Sequence, residues 1–422
     1  MDILALAKKE QERIVSYRRY LHENPELSQQ ETNTVSYICN RLEEFGISYV
    51  EVPKGGVLGF LGGDNESKTV LLRADMDALP VPESPCNLKQ PKTCVSKVEG
   101  VSHVCGHDAH VAMLLVAGRI LQEQIDQVPG RVVLFFERAE EAGGNILYLL
   151  RYLHEQKIRI DGCFGMHVKG NLDAGQFSLE PGGVNAGGFG FEVKLTGRGG
   201  HGSAPEKANS PIDCFVALYQ SFINIPVKYI SAKDACSFSL GKVVSGTKRN
   251  IIPETLEFAG SMRFFDHAVG EKAKQEFLRL LDSICQVYQC QYEVTKSVGP
   301  TLPLVNHPQC VQIGRRAIQK QLGAERLSSM EREMGSESFS AAQRLYPGAY
   351  AFLGVRNETL GSGAANHSPA FDIDESVLYL GTALHVAYAL EFLQANEPIS
   401  FEPYPGSPDD LYREICYPVD GK

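Results

Sequence analysis

The stretch PGGVNAGGFGFEVKLTGRGGHGSAP, residues 181–205, is where the chain changes its style of folding. Phe189, Phe191, Val193 and Leu195 alternate with Gly190, Glu192 and Lys194. Period-two patterning of that kind predicts a strand with one buried and one solvated face. Upstream, the apolar runs at 57–61, 69–73, 132–136 and 163–168 are nearly continuous. Strands buried on both faces read that way, which predicts an α/β fold with a mostly parallel central sheet flanked by helices. The glycine-rich boundary therefore separates two kinds of sheet.

Downstream of it, Pro211 opens a helix expected over 211–224. Strands follow at 235–245 and 255–264, joined by a loop with Gly246 and Pro253, then a helix at 267–288 and a strand at 289–296. The order β-α-β-β-α-β is the split βαβ, or ferredoxin-like, arrangement. After Pro303 the first style returns, with a helix at 307–322, a strand at 350–355 and a closing helix at 374–394. In the first third, Ile3, Leu6, Ile14, Tyr17 and Leu21 predict a helix over 2–22, followed by helices at 30–45 and 108–123. The expected division is a first domain over 1–186, an inserted domain over 187–297, the rest of the first domain over 298–395, and a tail over 396–422. That tail is rich in proline and acidic residues without periodicity, so it is expected on the surface or partly disordered.

Composition narrows the function classes. The chain has 422 residues, 43% of them hydrophobic and 22% charged, as in ordinary soluble proteins. A net charge of −10 leaves no basic footprint for nucleic acid. No run approaches the ~20 apolar residues of a membrane span, and MDILALAKKEQERIV lacks the apolar core of a signal peptide. Eleven cysteines without a CxxC pair read as free thiols in a reducing compartment, so a cytoplasmic location is expected.

Five segments concentrate residues that bind metals. In VLLRADMDALP, Asp75 and Asp77 follow an apolar strand, where the ligand crevice of an open α/β sheet lies. In HVCGHDAH, Cys105 and His107 flank a glycine just before an apolar helix, and thiolate and imidazole both suit zinc and its neighbours. Asp108 could cap that helix or orient His107. In VVLFFERAEEAGGN a buried strand ends in Glu140 and Glu141, a like-charged pair that would be costly there without a cation. One carboxylate of such a pair can bind metal while its neighbour handles the proton. CFGMHV and NHSPAFDIDE supply His167 and His367, each of which alone would pass for a structural histidine. A cysteine hydrolase with Cys105 as nucleophile and His107 or His110 as base is a rival reading that leaves Glu140, Glu141, His167 and His367 unemployed. A non-catalytic ligand-binding relative is another.

Together with GRGGHGSAP, RNIIPE and MGSESF in the same order, these segments resemble the zinc aminoacylase and carboxypeptidase superfamily. They are most similar to its amidohydrolase branch, which includes hippurate hydrolase and the hydrolases of indoleacetyl-amino-acid conjugates. The resemblance spans roughly residues 10–394. It implies two divalent ions per subunit, zinc or else manganese, nickel or cobalt. Cys105 would bridge them, and His107, Glu141, His167 and His367 would complete their shells. Glu140 matches the general base, and Asp77 and Asp108 are candidates for holding the ligands. The inserted domain becomes a lid that commonly dimerises, with His201 donating to the developing oxyanion. Asn250 and Arg263 match lid residues close to the substrate, Arg263 being the candidate grip on a carboxylate. The implied reaction is hydrolysis of N-acyl amino acids by a metal-activated water, with a dipeptidase or carboxypeptidase activity on the same centre as the alternative. Three departures bear on substrate choice: Glu137 and Arg138 replace the usual Gln-Pro, GHGSAPEKANSP replaces GHAAxPH, and MGSESF has serine where aspartate is common.

Overall fold

In the computed structural model, which describes residues 1–415, the fully buried strand Thr69–Asp75 lies inside an eight-stranded sheet. The sheet runs Ser48–Val52, Gly56–Gly62, Arg131–Glu137, Thr69–Asp75, Gly162–Asp173, Gly348–Arg356, Phe177–Ser178 and Leu327–Ser328. Its four central strands, from Arg131–Glu137 to Gly348–Arg356, are mutually parallel; the strands outside them join antiparallel, except that Leu327–Ser328 runs parallel to Phe177–Ser178. Parallel neighbours need a crossover. The helices His107–Glu123 and Ile146–Glu155 provide it on either side of Arg131–Glu137. Register then sets the working end of the sheet. Asp75 pairs with Glu137, and Arg73 pairs with Gly165, so His167 comes level with Asp75.

This sheet belongs to a unit made of Met1–Gly182, Asn306–Glu331 and Ala341–Asp409. Its core joins Leu72, Leu134, Phe136 and Phe164 of the strands to Met113, Leu114, Leu384 and Tyr388 of the helices. The run Glu375–Gln394 is long and apolar enough to cross a membrane, yet 78% of its apolar window is buried. Its all-round hydrophobicity is that of a core helix. The expected helix over 2–22 is two helices, Ile3–Lys9 and Gln11–Glu23. At Glu10 the backbone N–H bonds to Ala7 at 3.1 Å, an i−3 bond that tightens and ends the first helix.

A second unit comprises Gly183–Val305, Arg332–Ser340 and, among the described residues, Asp410 to Ile415. It holds an antiparallel four-stranded sheet in the order Cys236–Ser245, Thr255–Phe264, Gly187–Thr196, Gln291–Val298. The helices Pro211–Phe222 and His267–Val287 complete the β-α-β-β-α-β order. Phe189, Phe191, Val193 and Leu195 are all buried, with Phe222, Phe258 and Phe277, in this unit's own core.

The second unit reaches from Gly183 to Val305 where 187–297 was expected, and it takes in segments from outside that range. The segment Arg332–Ser340 groups with the second unit because Glu333 pairs with its backbone: Glu333 N–H donates to Val184 O at 2.8 Å and Ala186 N–H to Glu333 O at 2.9 Å. The tail is not simply an aperiodic surface strand, because Pro408–Glu414 is helical and Leu411, Tyr412 and Ile415 are buried. The part of that expectation covering 416–422 lies outside the described residues.

Candidate metal centre

Cys105 and His107 reach one point because the residue between them is Gly106. It adopts φ 93° at the start of the helix His107–Glu123, a conformation open mainly to glycine. A Cβ there would also come within 2.3 Å of Val168 Cγ2. The turn brings Cys105 Sγ to 3.3 Å from His167 Nε2 and 3.3 Å from His367 Nε2. Glu141 Oε1 lies 3.1 Å from His367 Nε2 and 4.0 Å from His107 Nε2. Two overlapping groups, Cys105–His107–His167 and Cys105–Glu141–His367, each keep their ligand atoms within 4.8 Å of one another, and a third joins His107 to Glu140 and Glu141.

Two of these three imidazoles are oriented by their other nitrogen, as metal ligands usually are. His167 Nδ1–H donates to Val168 O at 2.7 Å, which turns Nε2 toward Cys105. His107 Nδ1 lies 3.2 Å from Asp77 Oδ1, leaving His107 Nε2 buried without a hydrogen-bond partner among the described residues. Glu141 Oε1 is shielded from solvent as well, 3.1 Å from His367 Nε2. An unpartnered nitrogen on a buried imidazole, beside a thiol and a half-buried carboxylate, is a donor set that fits divalent metal ions.

The acidic pair depends on a strained turn. Ala139, just beyond the strand Arg131–Glu137, has φ 55°, which costs a non-glycine residue about 1–2 kcal/mol. Glu31 holds it: Oε1 accepts from Ala139 N–H at 2.7 Å and Oε2 from Arg138 Nε at 2.9 Å. Asp77 then ties the turn to the thiol segment, because its Oδ2 accepts from Glu141 N–H at 3.0 Å and Ser28 Oγ at 2.7 Å. His367 is left-handed too, at φ 69°, with its N–H bonded to Val104 O at 2.8 Å. Asn366 Nδ2 donates to Cys105 O at 3.0 Å, so the two loops hold each other.

Charge follows this geometry. Burial disfavours the charged form of His107, but Asp75 and Cys105 outweigh it and raise its pKa well above the usual histidine value. Hydrogen bonds to Cys105 and Glu141 raise His367 to about 10. Burial, with His110 and Lys169 nearby, keeps His167 neutral well below the usual value. Arg73, flanked by Asp75 at 2.8 Å and Glu137 at 2.7 Å, is almost wholly buried and holds Asp75 ionised against its desolvation.

Asp108 does something other than either expected role. The helix is capped at Gly106 without a side-chain bond, and Asp108 Oδ2 lies 2.7 Å from Arg18 Nε and 2.8 Å from His22 Nδ1. Consecutive helical residues point about 100° apart, so Asp108 faces away from His107. The chain of contacts continues from His22 Nε2 to Glu83 Oε1 at 2.9 Å and from Lys92 Nζ to Glu83 at 2.8 Å. Lys92 also donates to Pro369 O at 3.0 Å. A buried polar network thus links the helix start to the His367 loop. Glu137, one of the departures from the usual Gln-Pro, is fully buried and accepts from Arg73 Nε at 2.9 Å. His110 uses both nitrogens, on Asp75 Oδ1 at 2.5 Å and on Val168 N–H at 2.9 Å, so it is not a base for Cys105. Glu31, Arg18, His22 and Glu83 were not singled out in the sequence, where polar residues at helix starts and on helix faces read as solvated.

The other expected residues lie in the second unit. His201 and Asn250 are exposed neighbours on a short ribbon, with His201 opposite Ile251 and Gly202 N–H bonded to Asn250 O at 2.9 Å. Arg263 is half-buried on the strand Thr255–Phe264, and its Nη1 donates to Ser336 Oγ at 2.6 Å.

The chain is 37% identical over 390 residues to thermostable carboxypeptidase 2 of Saccharolobus solfataricus, covering 90% of this chain and 95% of that protein. It is 33% identical over 398 residues to IAA-amino acid hydrolase ILR1-like 4 of Arabidopsis thaliana, covering 92% and 88%. A solved structure from Bacillus subtilis, described as a dinuclear metal-binding peptidase of the M20 family, superposes with a TM-score of 0.76 at 27% identity over 92% of this chain and 99% of that one. Residues 71–391 match peptidase family M20/M25/M40, and with the dinuclear relative beside its clustered ligands the chain belongs to that family of amide-bond hydrolases.

Proposed function

We propose that the chain hydrolyses the amide bond of N-acyl amino acids, acetyl, benzoyl or related, with Glu140 as general base. The observation that carries this reading is the sharing of Cys105 between two ligand groups, one wholly buried and one reaching solvent through His367, beside the Glu140–Glu141 pair. Cys105, His107, Glu141, His167 and His367 would hold two divalent ions. Such ions polarise the amide carbonyl and lower the pKa of a nearby water. Thiolate with imidazole favours zinc, while manganese, nickel and cobalt also suit the carboxylate and imidazole donors.

Glu140 takes the proton of the attacking water and returns it to the leaving amine. His201 donates to the developing oxyanion, a contribution of ~3–4 kcal/mol for a well-placed donor. Asn250 contacts the substrate, and Arg263 grips its carboxylate with a planar two-pronged donor. The IAA-amino acid hydrolase relative supports an acyl-amino-acid substrate. The carboxypeptidase relative, at 37% identity, favours a second reading in which a dipeptide or peptide C-terminus is cleaved by the same residues.

We also assign a homodimer through the second unit. Ile212, Val216, Tyr219 and Ile223 are 39%, 50%, 42% and 43% exposed at helical spacing on one face. The strand Cys236–Ser245 ends the sheet beside it with Val243 and Val244 exposed, an unpaired edge of the kind a second copy covers. A reducing, cytoplasmic location is part of the same proposal.

The deciding experiment is metal analysis of the purified protein, followed by N-acetyl, N-benzoyl and indoleacetyl amino acids and dipeptides, with and without chelator. Chelator-sensitive release of amino acid from the acyl compounds is expected. Preference for dipeptides selects the second reading, and chelator-resistant hydrolysis defeats both.

A further inference from the structure

We infer that Ser203 is a positioning residue that holds His201 in the tautomer and orientation an oxyanion donor needs. The inference rests on the oxyanion role proposed for His201. A neutral imidazole carries one N–H and one lone pair, and the contact made by one nitrogen decides which of them holds the proton. Ser203 N–H donates to His201 Nδ1 at 3.1 Å. A backbone amide can only donate, so Nδ1 is the acceptor and the ring proton sits on Nε2. Ser203 Oγ lies 2.7 Å from the same nitrogen and supplies a second donor to it. Both donors sit on one side of the ring and leave the Nε2–H end pointing away from the segment that holds it.

The backbone is fixed as well, which makes the side chain the remaining freedom. His201 pairs with Ile251 across the ribbon, its carbonyl accepts from Ala204 N–H at 2.9 Å, and Gly202 N–H is bonded to Asn250 O at 2.9 Å. His201 and Ser203 are nonetheless exposed. An exposed imidazole on a pinned backbone would otherwise sample several rotamers and both tautomers. The hydroxyl of Ser203 narrows that set to a ring that presents Nε2–H, which lowers the reorganisation required when charge develops on the substrate oxygen.

The test uses the metal-loaded full-length enzyme and whichever N-acyl amino acid or dipeptide it turns over fastest. Ser203→Ala keeps the backbone donor and removes only the hydroxyl. Ser203→Thr restores a hydroxyl. Ser203→Ala is expected to lower kcat about threefold to tenfold, the size of one ordinary hydrogen bond, with KM and metal content unchanged and with Ser203→Thr close to the parent. His201→Ala should lose roughly a hundredfold to a thousandfold, as for a missing oxyanion donor. A parental kcat in Ser203→Ala beside a crippled His201→Ala overturns the positioning role and leaves the oxyanion role standing. A parental kcat in His201→Ala overturns the oxyanion role itself, and the inference with it.

Discussion

Asp77 Oδ1 lies 3.2 Å from Nδ1 of His107, and that contact decides which nitrogen of the ring faces Cys105 and Glu141. The other oxygen of the same carboxylate accepts from Glu141 N–H. One buried acid therefore sets the position of two proposed ligands from segments far apart in sequence. Asp77→Ala is expected to weaken metal binding by about tenfold to a hundredfold, the usual loss when such a supporting partner is removed. Competition titration against a chromophoric chelator reads it, and unchanged affinity would remove Asp77 from this role.

Glu140→Gln separates binding from proton transfer. The amide keeps the shape of the carboxylate but accepts no proton at neutral pH. Metal content should stay at the parental level while kcat falls by about a hundredfold to ten-thousandfold, the usual range for a general base. Near-normal turnover with metal bound would show that another group takes the proton.

Gly106→Ala tests the turn between Cys105 and His107. Left-handed backbone costs alanine about 1–2 kcal/mol, and its Cβ would meet Val168 Cγ2 at 2.3 Å. Lower thermal stability and weaker metal binding should appear together. If Tm and affinity both match the parent, the turn is more tolerant than its geometry indicates.

Acid sensitivity should come from the buried network around Asp108. Desolvation opposes the charge of Glu83, but His22 and Lys92 hold its pKa down to about 2, and Arg18 and His22 likewise lower Asp108. A carboxylate with a depressed folded pKa gives stability that is present above its unfolded value near 4 and lost as pH falls through the folded value. His22 is raised, since Asp108 and Glu83 outweigh its burial and Arg18. Its contribution therefore has the opposite sign and fades as pH rises through that raised value. Tm is expected to drop between about pH 5 and pH 2, and Asp108→Ala should lose about 1–3 kcal/mol at neutral pH, because buried Arg18 and His22 lose a shared acceptor while Arg18 keeps Glu375 at 3.2 Å. A flat acid limb in the parent would contradict the network's strength.

Self-association should respond to charge on the exposed helix face. Val216→Asp with Tyr219→Asp is expected to shift sedimentation from dimer toward monomer while each unit stays folded. A parent protein that sediments as a monomer at micromolar concentration would dismiss the proposed interface.

Local pattern made much of the architecture legible. The run at 132–136 is the strand Arg131–Glu137 and the helix expected at 267–288 is His267–Val287, because burial on one face or two leaves a period in the sequence that neighbours can show. The break at Glu10 was hidden, since both halves of 2–22 carry helical spacing and both pack on His107–Glu123 and Leu378–Gln394. The helix in the tail was hidden for a related reason: seven residues are too few to print a period.

At the centre, the sequence by itself determined the chemistry on offer. A thiol and an imidazole flanking a glycine, and two acids ending an apolar strand, are local arrangements whose donor types do not depend on what packs beside them. Tertiary structure alone decided which nitrogen each histidine presents, that Asp108 serves Arg18 and His22 instead of His107, and that Glu31 holds the turn before Glu140. Those assignments rest on hydrogen bonds between residues as far apart as Glu31 and Ala139. Directional bonds of that length in sequence leave no periodic trace, so they exist only once the chain has folded.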